Sequence, residues 1–262
     1  MSPFLLAALC VSALYGWMAW QMHRMPAPSR WLRLVLPSTL LAHGALLYAS
    51  VLGEGDIRLG FGNSVSAIVW LAALMYWASS HGAPLARIQS WVNALAAAGV
   101  LLMAAFTATH AIPNSQALAL RAHLVVSFLA YGLLAVAALH AALMTVLEKQ
   151  LHRGALAVGA VPPLLTLEAV LFRTIGAGFV LLTLAVSSGI LFSEELFGQP
   201  LQWTHKVVLA ILSWLVFGGL LLGRHFRGWR GRTALYWTIT GFTLLLLAYV
   251  GTQFVLEVLL GR

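Results

Sequence analysis

Histidines are the main chemistry-bearing side chains of this sequence, because nine histidines stand beside only seven acidic residues. Five of the nine fall inside long apolar runs or at their ends. An imidazole is costly in hydrocarbon and usually has a partner or a ligand there. We therefore expect the functional residues to be found in this set: His43, His110, His123, His140 and His205.

Two of these histidines share one depth in their apolar runs. His43 lies ten residues after Arg33, roughly 15 Å along a helix, and His140 lies eight residues before Glu148, roughly 12 Å. Imidazoles at one depth on different helices suit a bis-histidine haem, because the iron takes axial nitrogens from both faces of the porphyrin. Equal depth leaves the direction of each side chain open, so interhelical hydrogen bonds are the alternative.

His123 and His205 each open an apolar run, and we expect them at the opposite membrane boundary, with His110 near it. A haem with two axial imidazoles and a set of interhelical hydrogen bonds both fit here. Zinc and copper fit less well, because their sites gather several His, Cys or carboxylate ligands and the single cysteine, Cys10, lies in the first run. Motifs of hydrolases and nucleotide sites do not occur, so any catalysis would belong to a bound haem and the chain alone is not expected to be an enzyme.

The elements that carry these residues are predicted to be membrane-spanning helices. Hydrophobic residues make up 61% of the chain and charged residues 8%, which excludes a soluble globular core. Eight runs long enough to cross a bilayer predict an all-α polytopic bundle, formed as a single membrane domain over 1–262. The first run lacks a preceding basic region and is interpreted as a retained helix and not a signal peptide. The runs lie near 2–22, 32–52, 63–80, 91–109, 122–147, 172–193, 206–223 and 233–258.

Charge predicts the orientation of this bundle. Basic residues follow the first, third, fifth and seventh runs, so those loops are expected in the cytoplasm and both termini outside. The net charge of +8 therefore indicates orientation and not a nucleic-acid partner. Four arginines in 224–232 could meet anionic lipid, a haem propionate or a cytosolic partner. Pro162 and Pro163 predict a connector in which a short helix starts at Pro163.

Four stretches share spaced patterns with one family of membrane proteins. They are residues 121–134, which contain a histidine near the start of a helix, and residues 163–192, 203–214 and 228–251. The chain thereby resembles the cytochrome c assembly family of the CcsA, CcmC and CcmF type over roughly residues 60–260. Within that family it is similar to the short eight-span members of the YpjD or HemX type. The matching positions of the second stretch are Pro163, Leu164, Arg173, Ile175, Gly178, Phe179, Leu182, Thr183 and Gly189.

This resemblance implies a multi-pass protein of the bacterial inner membrane that binds haem near its outer face and acts in haem handling or cytochrome c assembly. Its implied partners are haem, other maturation components and membrane lipids. His123 matches the first outer histidine of the family, and Trp203 and Lys206 match its tryptophan-rich loop. The second outer histidine of the family has no counterpart in 252–260, and His205 is the residue expected to replace it.

These matches imply a non-covalent, b-type haem with His123 and His205 as axial ligands of the iron. Trp203 would lie along the porphyrin face. Lys206 and Arg121 would meet the propionates in charge-assisted hydrogen bonds. Further candidates for haem binding are His43, His140 and His110.

Two other functions stay open from the sequence. One is a membrane regulator of haem biosynthesis that acts through the basic loops, which predicts a partner held by residues 224–232. The other is a transporter of another small solute, which predicts broken helices at the midplane and substrate-dependent flux.

Overall fold

The computed structural model describes residues 2–24, 30–52, 56–79, 86–107, 112, 115–152, 164–194 and 202–259. Within these ranges the chain is all-helical, as predicted, and eight helices are long and apolar enough to cross a membrane. Hydrophobic side chains such as Leu41, Tyr48 and Leu191 are more than two-thirds exposed, which is typical of a lipid-facing surface. The helices are α1 (Pro3–Arg24), α2 (Arg30–Leu52), α3 (Phe61–Ser79), α4 (Ala86–Ala105), α5 (Leu118–His152), α6 (Leu164–Leu191), α7 (His205–Arg227) and α8 (Arg232–Leu246).

The part of the predicted connector that the structure describes, residues 164–171, belongs to the spanning helix itself. Helix α6 begins at Leu164 and continues without a break to Leu191. Its first two turns, LLTLEAVL, hold strong helix formers and no glycine or proline, so nothing separates a short helix from the span. The two prolines proposed to start that helix, Pro162 and Pro163, lie outside the described residues.

The chain divides into two compact units. The expectation of a single membrane domain over 1–262 stays a prediction. The first unit comprises Met1–Ala122, Glu194–Gly198 and Thr252–Arg262. In it α1 packs on α4 and α2, and α3 packs on α4 and α2. Two serine hydroxyls donate across the α1–α4 contact, Ser12 to the carbonyl of Ala97 at 3.0 Å and Ser90 to the carbonyl of Ala19 at 2.8 Å.

The end of the chain caps a helix of this first unit. The backbone N–H of Phe61, the first residue of α3, donates to Oε2 of Glu257 at 2.8 Å. A carboxylate at a helix N-terminus satisfies an otherwise unpaired N–H and opposes the helix dipole. The ring of Phe61 also makes edge contacts with Phe106 and Phe254, with centroids 5.5 and 5.4 Å apart. The carboxylate of Glu257 is therefore paired with the start of α3.

The second unit comprises His123–Ser193 and Gln199–Gly251. Helix α7 packs on α6 and on α8. At the α6 contact the rings of Phe179 and Trp214 stack with centroids 5.7 Å apart, and the Trp214 indole N–H donates to the Thr183 hydroxyl at 2.8 Å. At the α8 contact the Ser213 hydroxyl donates to the carbonyl of Gly241 at 2.8 Å. After Leu246 the last span continues as two π-helical segments, Leu247–Gly251 and Phe254–Leu259.

Candidate functional site

His123 is fixed by a serine on the neighbouring helix. Its Nδ1 lies 2.8 Å from the hydroxyl oxygen of Ser188 on α6, and that hydroxyl donates its hydrogen to the carbonyl of Ala185 at 3.1 Å. A serine hydroxyl has a single hydrogen, so in the tautomer that satisfies both bonds the imidazole N–H of His123 donates to Ser188. In that tautomer Nδ1 carries the proton, and Nε2 carries the lone pair with which a neutral imidazole binds a metal.

A glycine on α6 faces the same imidazole. A Cβ atom built on Gly189 would lie 3.4 Å from Cε1 of His123, which is an ordinary van der Waals contact. The backbone of α6 at Gly189 therefore passes beside the imidazole. Gly189 is also one of the positions at which the sequence resembles the cytochrome c assembly pattern.

The tryptophan, histidine and lysine of the predicted site lie at the start of α7. Helix α7 begins at His205, and Thr204 takes the N-cap position without a side-chain cap bond. His205 is exposed and Trp203 is 70% exposed, so both rings lie on the surface of the second unit. The ammonium group of Lys206 lies 6.0 Å from the ring centroid of Tyr249, within reach of a cation–π contact.

Tyr249 belongs to an aromatic cluster that the sequence analysis missed. Its ring lies 6.4 Å from the rings of both Phe128 and Tyr131 on α5. The Tyr131 hydroxyl donates to the carbonyl of Leu245 at 3.0 Å. Tyr249 lies in the π-helical segment Leu247–Gly251, and such segments often occur at functional sites. The only signal of this cluster in the sequence is that Tyr131 and Tyr249 each lie within a leucine-rich run.

Arg121 belongs to a polar cluster of the first unit. Its guanidinium donates to the carbonyl of Ser115 at 2.9 Å and to the side-chain oxygen of Gln116 at 2.6 Å. The Asp56 carboxylate accepts from the Gln116 amide at 3.2 Å and from the Ser115 hydroxyl at 3.0 Å. These bonds, that from Gln116 first, hold the pKa of Asp56 below its ordinary value. Arg121 is thus oriented by the residues that precede α5.

His43 has the interhelical hydrogen bond that the sequence left open as an alternative to haem. It is fully buried in the first unit, and its Nε2 lies 2.8 Å from the hydroxyl of Ser66 on α3. The ring of Tyr15 on α1 meets it edge-on, with centroids 5.6 Å apart. Nδ1 of His43 and the hydroxyl of Tyr15 are both buried and have no hydrogen-bond partner among the described residues.

His140 is bonded within its own helix. Its Nδ1 donates to the carbonyl of Val136 at 2.9 Å, which again leaves the imidazole lone pair on Nε2. His140 belongs to the second unit and His43 to the first, so the proposed pairing of the two stays a prediction. His110 lies outside the described residues.

These observations define a polytopic membrane protein in which a histidine at a helix boundary is hydrogen-bonded to a serine of the neighbouring helix. A lysine and a cluster of aromatic rings lie in the same unit. The sequence profile described as "Cytochrome C assembly protein" matches residues 31–260. The chain belongs to that family, which confirms the resemblance.

Individual relatives agree with this assignment. The inner membrane protein YpjD of Escherichia coli K12 is 30% identical over 242 residues, covering 87% of this chain and 89% of the relative. The cytochrome c biogenesis protein CcsA of Heterosigma akashiwo is 35% identical over 91 residues, covering 35% of this chain and 28% of the relative. CcsA of a Synechocystis strain is 35% identical over 88 residues, covering 34% and 26%. Together with the eight candidate spans among the described residues, these likenesses identify a multi-pass protein of the inner membrane.

Proposed function

We propose that this protein binds a non-covalent, b-type haem and handles it during cytochrome c assembly. The family supports this role, because relatives that share part of the chain are cytochrome c biogenesis proteins. The observation that carries the proposal is the hydrogen bond between His123 and Ser188, since the tautomer that satisfies it together with the bond from Ser188 to Ala185 has its lone pair on Nε2, the atom with which a neutral imidazole ligates iron. Other maturation components would then be partners that supply or take the haem.

The residues proposed to hold the haem iron and the porphyrin face belong to the second unit. His123 and His205 would supply the axial nitrogens, and the exposed ring of Trp203 offers an apolar face for the porphyrin. When bound, haem supplies an iron whose oxidation state can change and whose potential depends on its axial ligands. His205 can turn toward a ligand readily because it opens its helix on the surface and no described residue hydrogen-bonds to its ring.

Lys206 and Arg121 are the cations proposed from the sequence for the propionate groups of the haem. The ammonium group of Lys206 lies over the face of Tyr249, 6.0 Å from the ring centroid, a contact that helps to orient it. Arg121 has more N–H donors than its bonds to Ser115 and Gln116 use. Charge-assisted hydrogen bonds from these cations would fix the propionates. His43, His140 and His110 stay candidates for additional haem binding.

The visible spectrum of the purified protein tests this function. Wild type from haem-replete cells, in mild detergent, should show a Soret band and sharp bands after reduction with dithionite. His123→Ala and His205→Ala should each lose or shift these bands, because each removes a proposed axial ligand. Ser188→Ala should keep the bands but weaken haem affinity by roughly 10- to 100-fold, the effect expected when an orienting hydrogen bond to a ligand histidine is lost.

Two further variants make the test specific. His225→Ala removes an exposed histidine at the other end of α7 and should leave the spectrum unchanged. His43→Ala should also leave it unchanged if the outer site alone binds haem, and a loss confined to His43→Ala would move the haem to the interior of the first unit. A colourless wild type, even after haem is added back, would refute the proposal.

A further inference from the structure

The turn between α7 and α8 is rich in arginine. Helix α7 ends at Arg227, Gly228 takes the left-handed αL conformation with φ of 66°, and Gly231 also has a positive φ, of 57°. The N–H of Trp229 bonds to the carbonyl of Gly223 at 3.2 Å. The Trp229 ring fills the space beside Gly223, where a Cβ atom would lie 2.3 Å from Cε3 of Trp229. Its other neighbour is the ring of Trp237 on α8, with centroids 4.9 Å apart.

Two of the four arginines of this turn are held by acidic residues of neighbouring helices. Arg224 donates to Glu168 of α6 at 2.5 Å and to the carbonyl of Trp229 at 3.2 Å. Arg232 donates to Glu148 of α5 at 3.1 Å. Their positive charges are therefore largely neutralised, and both ion pairs tie the turn to the rest of the second unit.

The positive charges of the other two arginines are not neutralised by any of the described residues. Arg227 and Arg230 are exposed, and neither bonds to any of the residues that the structure describes. The residues of the second unit include only two acids, Glu148 and Glu168, and the other arginines already engage both. The nearby His225 is edge-on to Phe226, with centroids 4.8 Å apart, and adds no counter-charge.

Exposed aromatic rings flank these arginines. Phe226 is 76% exposed and Tyr236 is 70% exposed, and each lies within a few residues of Arg227 or Arg230 in helices of membrane-spanning length. Aromatic side chains at the end of a spanning helix lie at the level of the lipid headgroups, where a ring meets both acyl chains and water. Guanidinium groups at the same level meet phosphate oxygens in bidentate hydrogen bonds.

We propose that Arg227 and Arg230 bind the phosphate of an acidic phospholipid in the cytoplasmic leaflet, with Phe226 and Tyr236 packed at the border of its headgroup and acyl chains. The side of the membrane follows from the basic loops. A lipid is favoured over a soluble protein because the apolar partners of the site are aromatic rings at the ends of membrane-spanning helices. It is favoured over a free anion because a free anion would leave those rings uncovered. The site lies at the opposite end of α7 from His205 and does not depend on the proposed haem function.

The test measures lipid binding by the full-length protein in nonionic detergent. Labelled protein is titrated with phosphatidylglycerol, with phosphatidylcholine of the same chains, and with inorganic phosphate, and binding is followed by thermophoresis. Wild type should prefer phosphatidylglycerol, and added salt should weaken that preference. The double variant Arg227→Gln/Arg230→Gln should bind phosphatidylglycerol about 25-fold more weakly, since each basic residue near an anionic surface is worth about fivefold.

A matched double variant separates a site from general positive charge. Arg24→Gln/Lys149→Gln removes two exposed basic residues from helix ends on the same predicted side and should change the affinity less than twofold. An equal loss in this variant would overturn the proposal, as would equal binding of both lipids or of inorganic phosphate and phosphatidylglycerol. Capture of a cytosolic protein that depends on Arg227 and Arg230, with lipid binding unchanged, would also overturn it in favour of a protein partner.

Discussion

At the residue scale, one fully buried and one half-buried tyrosine offer a direct test of how polar groups are satisfied in this bundle. Tyr131 donates its hydroxyl hydrogen to the carbonyl of Leu245 at 3.0 Å. Tyr15 is fully buried against His43, yet its hydroxyl has no hydrogen-bond partner among the described residues. A buried polar group without a partner costs about 1–3 kcal/mol, whereas a typical intramolecular hydrogen bond contributes about 1 kcal/mol.

The same substitution at the two tyrosines should therefore have opposite signs. Tyr15→Phe keeps the ring contact with His43 and removes only the unpaired hydroxyl, so we expect stabilisation of about 1 kcal/mol. Tyr131→Phe leaves the Leu245 carbonyl without its partner and should destabilise by about the same amount. Thermal unfolding in detergent measures both. A lower melting temperature for Tyr15→Phe would show that its hydroxyl binds something inside the first unit, such as the polar group of a ligand.

The residue types of the candidate site were predictable from the sequence, but their directions were not. A polar residue in an apolar run signals chemistry, which is why His123 and His205 could be selected. Depth along a helix follows from residue number, but the azimuth follows from packing. The serine that is hydrogen-bonded to His123 and the glycine beside its ring come from α6, more than sixty residues away in the chain. For the same reason, the sequence left open whether His43 is a haem ligand or forms an interhelical hydrogen bond such as the one to Ser66.

At the element scale, the segments before α3 and α5 are joined by one carboxylate. Asp56 accepts from Gln116 and Ser115, and Gln116 in turn accepts from Arg121 in the first turn of α5. These bonds lower the pKa of Asp56 from its ordinary value of 3.8. A carboxyl whose pKa is lower in the folded state stabilises the fold above its ordinary pKa. That stability is lost as the pH falls from the ordinary value through the folded one.

Asp56→Asn should consequently lower the melting temperature at pH 7 by a small amount, since the carboxylate is at the surface. The difference from wild type should shrink as the pH falls below about 4, where the wild-type carboxyl also loses its charge. Glu194→Gln, which changes an exposed acid of the same unit, serves as the control and should leave the melting temperature near that of wild type throughout. A constant deficit of Asp56→Asn down to pH 3 would contradict the linkage.

The existence of each element followed from hydropathy, while its ends and irregularities did not. All eight predicted spans are helices within the described residues, because about 20 consecutive apolar residues have no other stable state in a bilayer. Helix α5 extends to His152 and α6 starts at Leu164, beyond the apolar windows, because amphipathic turns outside hydrocarbon still form helix. The π-helical turns around Tyr249 leave no mark in an apolar pattern, since they arise from packing.

At the scale of the whole molecule, the distribution of charge separates the proposed haem site from the proposed lipid site. Helix α7 carries His205 at its first residue and Arg227 at its last, so the two sites lie at opposite ends of one spanning helix. The basic loops predict that the end with Arg227 faces the cytoplasm, where anionic headgroups and the membrane potential both favour arginine. Haem at the other end would then be bound on the outer side of the membrane. This is the side that the resemblance to the cytochrome c assembly family implies.

Single-cysteine labelling tests this orientation, because Cys10 is the only cysteine of the chain. In a Cys10→Ser background, Glu194→Cys lies just after α6 and Arg230→Cys lies in the α7–α8 turn, and both native residues are exposed. A membrane-impermeant maleimide should label position 194 in intact spheroplasts and position 230 only after permeabilisation. The two positions differ only in the predicted side, so each controls for the reactivity of the other. The reverse pattern would put His205 on the cytoplasmic side and Arg227 outside, and would contradict both proposed sites together.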